Sequence, residues 1–130
     1  EVFEYTKKKC KRDSSIGLLA TEGTIVTGVY KKFFEKRYNL KYPNNKLQKT
    51  SVNKAIKLVK MGKVKAAAKI IKPAIDYLIK RKCNKIILGC TELPIAIFAF
   101  KSFKKIETSK VFLDPNLILA KAAVKKYKSR

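Results

Sequence analysis

Short unbroken apolar runs alternate along this chain with longer stretches whose apolar residues recur at helical spacing. That alternation restricts the fold more than any other feature. Successive side chains of a strand point to opposite faces, so a strand apolar at successive positions must be covered on both sides. Ile16-Gly17-Leu18-Leu19-Ala20 is such a run, and Ile86-Ile87-Leu88, within Lys85 to Gly89, is another. Val111-Phe112-Leu113 is shorter, and Leu40 to Tyr42 is a further candidate strand ended by Pro43-Asn44-Asn45. Between the runs lie helical stripes: Ile25, Val26, Val29, Tyr30, Phe33 and Phe34; then Val52, Ala55, Ile56 and Val59, stopped near Gly62. The longest stripe is Val64, Ala67, Ala68, Ile71, Ile75, Leu78 and Ile79, with Pro73 on its polar side, where it should kink the helix. Asp114 is a good N-cap, with Pro115 at the first position of a final helix using Leu117, Ile118, Ala120 and Val124. Strands alternating with helices predict an α/β fold built on a short parallel sheet with flanking helices.

Three segments are expected. Residues 1–14 read as the end of a connecting helix, with Val2, Phe3 and Tyr5 as its apolar contribution. Residues 15–110 carry the α/β unit, and residues 111–130 a last strand and helix. The chain opens on Glu1, in what reads as the middle of a helix, and the expectation is a fragment of a longer protein.

With 46% apolar residues, the chain can bury a real core despite its charge. Lys and Arg number 32 against 9 Asp and Glu, a net +23. Such an excess attracts nucleic acid, anionic lipid or acidic metabolites. Its distribution points elsewhere. The lysines are spread over the polar sides of amphipathic segments, and the clusters (Lys7 to Arg12, Lys31-Lys32, Lys80 to Lys82, Lys104-Lys105, Lys125-Lys126) are short. Arg, the residue of planar bidentate phosphate and guanine contacts, occurs only four times. The charge reads as a solvated surface, with no specific nucleic-acid partner. No apolar run is long enough to span a membrane and no signal peptide is seen, so a cytoplasmic setting is expected. The absence of His excludes a His-based triad within the chain. Three Cys with no Cys-x-x-Cys argue against a structural zinc site or a disulfide scaffold.

In parallel α/β sheets ligands sit beyond the carboxyl ends of the strands. Two segments occupy that place. Thr21-Glu22-Gly23-Thr24 leads from a buried strand into a helix, where free N–H groups and the helix dipole favour a carboxylate or phosphate. Gly23 lets a ligand approach the backbone, and Thr21 and Thr24 offer hydroxyls. Spacing alone favours a simpler role, a threonine capping its own helix. Glu22 would repel an anion unless it points away. Cys90-Thr91-Glu92 follows the second strand. A thiol before a helix meets positive potential, which favours thiolate. Thr91 can donate to the sulfur or a ligand, and Glu92 can accept from a ligand amine. The plainer reading of Cys90 is a small buried Cys, which is also how Cys10 and Cys83 read.

The order of the strings is more specific than either alone. Ile16 to Phe33 (IGLLATEGTIVTGVYKKF), Ile86 to Pro94 (IILGCTELP) and Phe112 to Pro115 (FLDP) together resemble the aspartate/glutamate racemase family. The resemblance implies one half of a two-domain, pseudo-symmetric fold with the substrate in a cleft between halves. It implies racemisation of an amino acid of aspartate or glutamate type without pyridoxal phosphate, metal or other cofactor. Each half supplies one Cys, and the two face opposite sides of the α-carbon. Cys90 matches the second catalytic Cys, with Thr91 and Glu92 beside it, and Thr21, Gly23 and Thr24 match the turn holding the substrate carboxylate. Lys60 resembles a family lysine near the substrate's side-chain carboxylate; as a helix lysine it reads equally as solvated. The family's first Cys, in a Cys-Asn-Thr motif, belongs to an amino-terminal half, and Cys83-Asn84-Lys85 does not replace it. The partners expected are therefore that half, or a second copy of the chain in a homodimer, and the fragment alone should be inactive. Lys82 stands where a glycine often precedes the catalytic strand. The alternatives are a remnant that binds a dicarboxylate or partner without racemising it, and a basic nucleic-acid-binding domain.

Overall fold

A computed structural model describes residues 1–99 and 108–129. The Lys104-Lys105 cluster lies outside them. Among the described residues four strands form one parallel sheet: β1 (Ser15–Leu19), β2 (Asn39–Lys41), β3 (Lys85–Leu88) and β4 (Phe112–Leu113), in the order β2-β1-β3-β4. The central pair is in register with Leu19 opposite Leu88. Both apolar runs are thus interior strands. Ile16 and Leu18 of β1 and Ile87 of β3 join Phe34, Tyr38, Leu113 and Ile118 on one face. Leu19, Ile86 and Leu88 join Val52, Ile71, Ile75, Leu78 and Leu93 on the other. Alternate residues of one run feeding opposite cores is what an unbroken apolar strand requires.

Helix α1 (Val2–Lys9) leads in, with Phe3 edge-on to Phe34 at 5.3 Å. The stripe from Ile25 to Phe34 is two helices, α2 (Glu22–Thr27) and α3 (Val29–Phe34). They break at Gly28, whose φ of 67° is left-handed. The break turns Val26, Val29 and Phe33 outward, at 84%, 55% and 55% exposure, leaving Ile25, Tyr30 and Phe34 for the core. The next helical stretch starts earlier than its stripe: α4 (Asn45–Leu47), capped by the Asn44 side chain, runs through a π-helical turn at Gln48–Asn53 into α5 (Lys54–Lys60).

Helix α6 (Val64–Lys80) continues as one element past the exposed Pro73. Ser51, buried in the π-helical turn, supports it there. Its hydroxyl donates to the Ile70 carbonyl at 2.6 Å and accepts from the Ala74 amide at 3.4 Å. Those two backbone groups flank the proline, so the hydroxyl serves the part of the ladder that proline disturbs. Lys82 takes φ 62°, the left-handed conformation that glycine tolerates best.

After β3 come α7 (Glu92–Ala99) and α8 (Thr108–Val111), so Val111 ends a helix rather than opening the last strand. Asp114 caps α9 (Pro115–Lys128) through the amides of Asn116 and Leu117, as its position before Pro115 suggested. Of the final stripe only Ile118 is buried; Leu117, Leu119 and Val124 are about half exposed. Among the described residues no helix is long and apolar enough to cross a membrane.

Candidate active site

The two chemical segments lie beyond the carboxyl ends of β1 and β3, and those strands are neighbours. The Gly89 amide extends the ladder by donating to Leu19 O at 2.7 Å. A Cβ at Gly89 would lie 3.0 Å from both Ala20 Cβ and Leu18 Cδ1, so the strand ends meet closely only because this residue has none.

On the β1 side Thr21 is the N-cap of α2. Its Oγ accepts from the Thr24 amide at 3.2 Å and lies 3.0 Å from the Thr24 hydroxyl. The capping role that spacing favoured is therefore observed, and it leaves one hydroxyl hydrogen for a ligand. Two hydroxyls carry two hydrogens, and the bond between them uses one. A Cβ on Gly23 would meet nothing nearer than Thr21 Oγ at 3.9 Å, which leaves the backbone there open to approach.

A shallow depression beside this turn is lined by Thr21, Glu22, Asn53, Ile56, Lys57 and Lys60. Glu22 does face it. Asn53 engages its carboxylate at 3.1 Å, and Lys57 and Lys60 bring two positive charges to the same depression. Gln48 and Asn53 were not legible in the sequence. The buried Gln48 amide donates to the Ala20 carbonyl at 2.8 Å and to Asn53 Oδ1 at 2.9 Å, tying the end of β1 through Asn53 to Glu22. Its own carbonyl oxygen is buried with no hydrogen-bond partner.

On the β3 side Cys90, Thr91 and Glu92 form one cluster. Glu92 Oε2 accepts from Cys90 Sγ at 2.7 Å and from the Thr91 hydroxyl at 2.9 Å. Its other oxygen lies 3.9 Å from Lys60 Nζ, which links this cluster to the depression beside Thr21. The surroundings of Cys90 oppose the thiolate that a helix terminus favours. Burial, and then the hydrogen bond to Glu92, push its thiol above the ordinary range, against the pull of Lys60. The Glu92 carboxyl is held low, first by the Cys90 and then by the Thr91 hydrogen bond. Cys10 and Cys83 stand apart, one following α1 and one buried before β3, and burial raises both. A larger groove between α1 and α9, lined by Tyr5, Lys8, Ile118, Leu119, Ala122 and Lys125, includes no residue of the two chemical segments. Among the described residues no group of three His, Cys, Asp or Glu could hold a metal ion.

A parallel α/β sheet that carries a thiol and a hydroxyl-bearing turn at adjacent strand ends places both where ligands of such sheets lie. The comparisons narrow the reading. The family model described as Asp/Glu/Hydantoin racemase matches residues 1–123, and the chain belongs to that family. It is similar to the aspartate racemase of Picrophilus torridus, with a TM-score of 0.75 and 25% identity over 96% of this chain and 49% of that one. It is 24% identical to the glutamate racemase of Carboxydothermus hydrogenoformans over 98% of this chain and 46% of that protein. An uncharacterised protein from the pnlA 3' region of Pectobacterium carotovorum subsp. carotovorum is 32% identical over 63% of this chain and 55% of its own length. The chain thus spans about half the length of the curated relatives it matches.

Proposed function

We propose that the chain supplies one half of a cofactor-independent racemase site for an amino acid of aspartate or glutamate type. Cys90 exchanges a proton with the α-carbon on one face, and a thiol of a second α/β half serves the other. The observation that carries this reading is the placement of Cys90 and the Thr21–Thr24 turn at the ends of adjacent strands. A substrate carboxylate on the Thr21, Gly23 and Thr24 groups would hold its α-carbon toward the thiol. Lys60, with Lys57 near it, supplies charge for a second carboxylate. The α-proton of an amino acid is weakly acidic, so hydrogen bonds to the carboxylate must stabilise the carbanion-like state. The basic nucleic-acid reading gains no support, because Phe3, Tyr30, Phe34 and Tyr38 pack on one another rather than forming a stacking platform.

One thiol at the site should not racemise alone. Incubating the chain with L-aspartate and L-glutamate in deuterium oxide, and following α-proton exchange and optical rotation, is expected to show no sustained racemisation. Adding a second half that carries its own thiol should produce it. Turnover that rises linearly with the concentration of this chain alone would overturn the half-site reading. A steeper rise would mark two copies of Cys90 meeting in a homodimer.

A further inference from the structure

We propose that Glu22 binds the ammonium group of the amino-acid substrate, and that Gln48 and Asn53 position its carboxylate to do so. The inference rests on the racemase reading and assigns the one charged group of the substrate that this reading leaves without a partner.

An amino acid of aspartate or glutamate type brings two carboxylates and one ammonium. The Thr21–Thr24 turn and the Lys57 and Lys60 charges account for the carboxylates. The ammonium needs an acceptor, and the two segments offer two, Glu92 and Glu22. Glu92 is committed. One of its oxygens accepts from Cys90 Sγ and the Thr91 hydroxyl, and the other lies 3.9 Å from Lys60 Nζ. Glu22 lines the depression that holds Thr21, Lys57 and Lys60. Its Oε1 accepts from Asn53 Nδ2 at 3.1 Å, and among the described residues its Oε2 has no hydrogen-bond or ion-pair partner. The carboxylate that threatened to repel an anion at the turn thus stands beside it as an open acceptor.

Glu22 is exposed, yet a chain of hydrogen bonds holds it, and the direction of that chain is fixed from its inner end. The Ala20 carbonyl can only accept, so the Gln48 amide turns its NH2 group to it, at 2.8 Å. The same NH2 group gives its second hydrogen to Asn53 Oδ1 at 2.9 Å. Asn53 is left with its own NH2 group for Glu22. Reversing either amide would set acceptor against acceptor. Both Gln48 hydrogens are spent in this way, and its buried oxygen has no partner among the described residues. The relay keeps its direction at the cost of that oxygen. A carboxylate in the first turn of α2 also suits the positive end of the helix. That service needs no Asn53, and it acts on stability rather than on the choice of ligand.

The test compares L-aspartate with succinate, which has the same two carboxylates and no ammonium. Each is titrated into the chain and followed by NMR at the backbone amides of Thr21 to Thr24, with the Gly89 amide reporting an intact strand junction. Glu22→Gln adds one positive step for both ligands alike, so the ratio of their affinities isolates the ammonium contact. That ratio should move against aspartate by about tenfold or more, with aspartate weakened and succinate unchanged or tightened. Asn53→Ala should move it in the same direction. A Glu22→Gln variant that binds both ligands tighter by one factor makes Glu22 a mere repellent and overturns the proposal, as does an unchanged ratio. An unchanged ratio in Asn53→Ala overturns the positioning role. In each of these cases the carboxylate site, and with it the racemase reading, still stands. If the parent chain binds neither ligand, both fall together. The titrations need no turnover, so a chain that fails to racemise leaves their result standing.

Discussion

Thr21 and Thr24 show how one short string serves two ends. The Thr21 oxygen caps α2 while the hydroxyl pair retains a hydrogen to give. The roles separate by substitution. Thr21→Ala should lower stability by about 1 kcal/mol, the usual cost of a lost cap. Thr24→Val keeps the branched shape and leaves the Thr24 amide to be capped. It should cost about 1.5–3 kcal/mol of binding, the worth of a hydrogen bond to a charged group, or roughly tenfold to hundredfold in affinity. Denaturation midpoints and aspartate affinity, measured on both variants, check this. Equal stability losses with unchanged affinity would leave the turn with a capping role only. At this scale the sequence was legible where residue type alone carries a local hydrogen bond, as at the caps Thr21 and Asp114. It was not legible at Gln48 and Asn53. Their importance arises from meeting Ala20 and Glu22 across the fold, and neither carries a periodic or motif signature. The contact that opposes a thiolate at Cys90 was hidden for a similar reason. A helix N-terminus is visible in sequence, but the direction in which Glu92 turns its carboxylate is not.

Among the elements, the buried strands were readable because their apolar runs are shorter than a helix and bounded by turns. The helices were readable by stripe but not by break. The period of 3.6 continues across Gly28, so nothing in the apolar pattern announces that α2 ends there. A π-helical turn likewise shifts phase without changing composition, and it places Ser51 against α6. That contact makes an element-level prediction. Ser51→Ala should destabilise the protein by about 1–3 kcal/mol, because it strips a buried partner from the Ile70 carbonyl and Ala74 amide beside Pro73. A denaturant midpoint series reads it. A loss well below that range would mean that the backbone satisfies both groups unaided.

For the whole molecule the dominant quantity is a net charge of +23 on 130 residues. The ion pairs found among the described residues, Lys7–Glu4, Lys31–Glu35, Lys60–Glu92 and Lys72–Asp76, are mostly exposed and contribute little each. Repulsion among the unpaired lysines should therefore outweigh attraction, and salt should stabilise the fold. Raising sodium chloride from about 0.05 M to about 0.5 M shortens the screening length severalfold and should raise the melting temperature by a few degrees. A fall in melting temperature over that range would show that the ion pairs matter more than the repulsion. The half-exposed Leu117, Leu119 and Val124 of α9 belong to this scale as well, since that helix leaves apolar surface open to solvent.

The adjacency of β1 and β3 also dictates when the site comes into being. The segment between them carries β2 and α2 through α6, and all of it must be looped out before Leu19 finds Leu88. Closing so long a loop costs entropy that only the finished sheet returns. No partial structure of the early helices holds Thr21 near Cys90, so the site has no locally folded precursor. It arrives with the sheet and departs with it. The Gly89 amide, bonded to Leu19 at that junction, is the backbone group whose exchange with solvent would time both events.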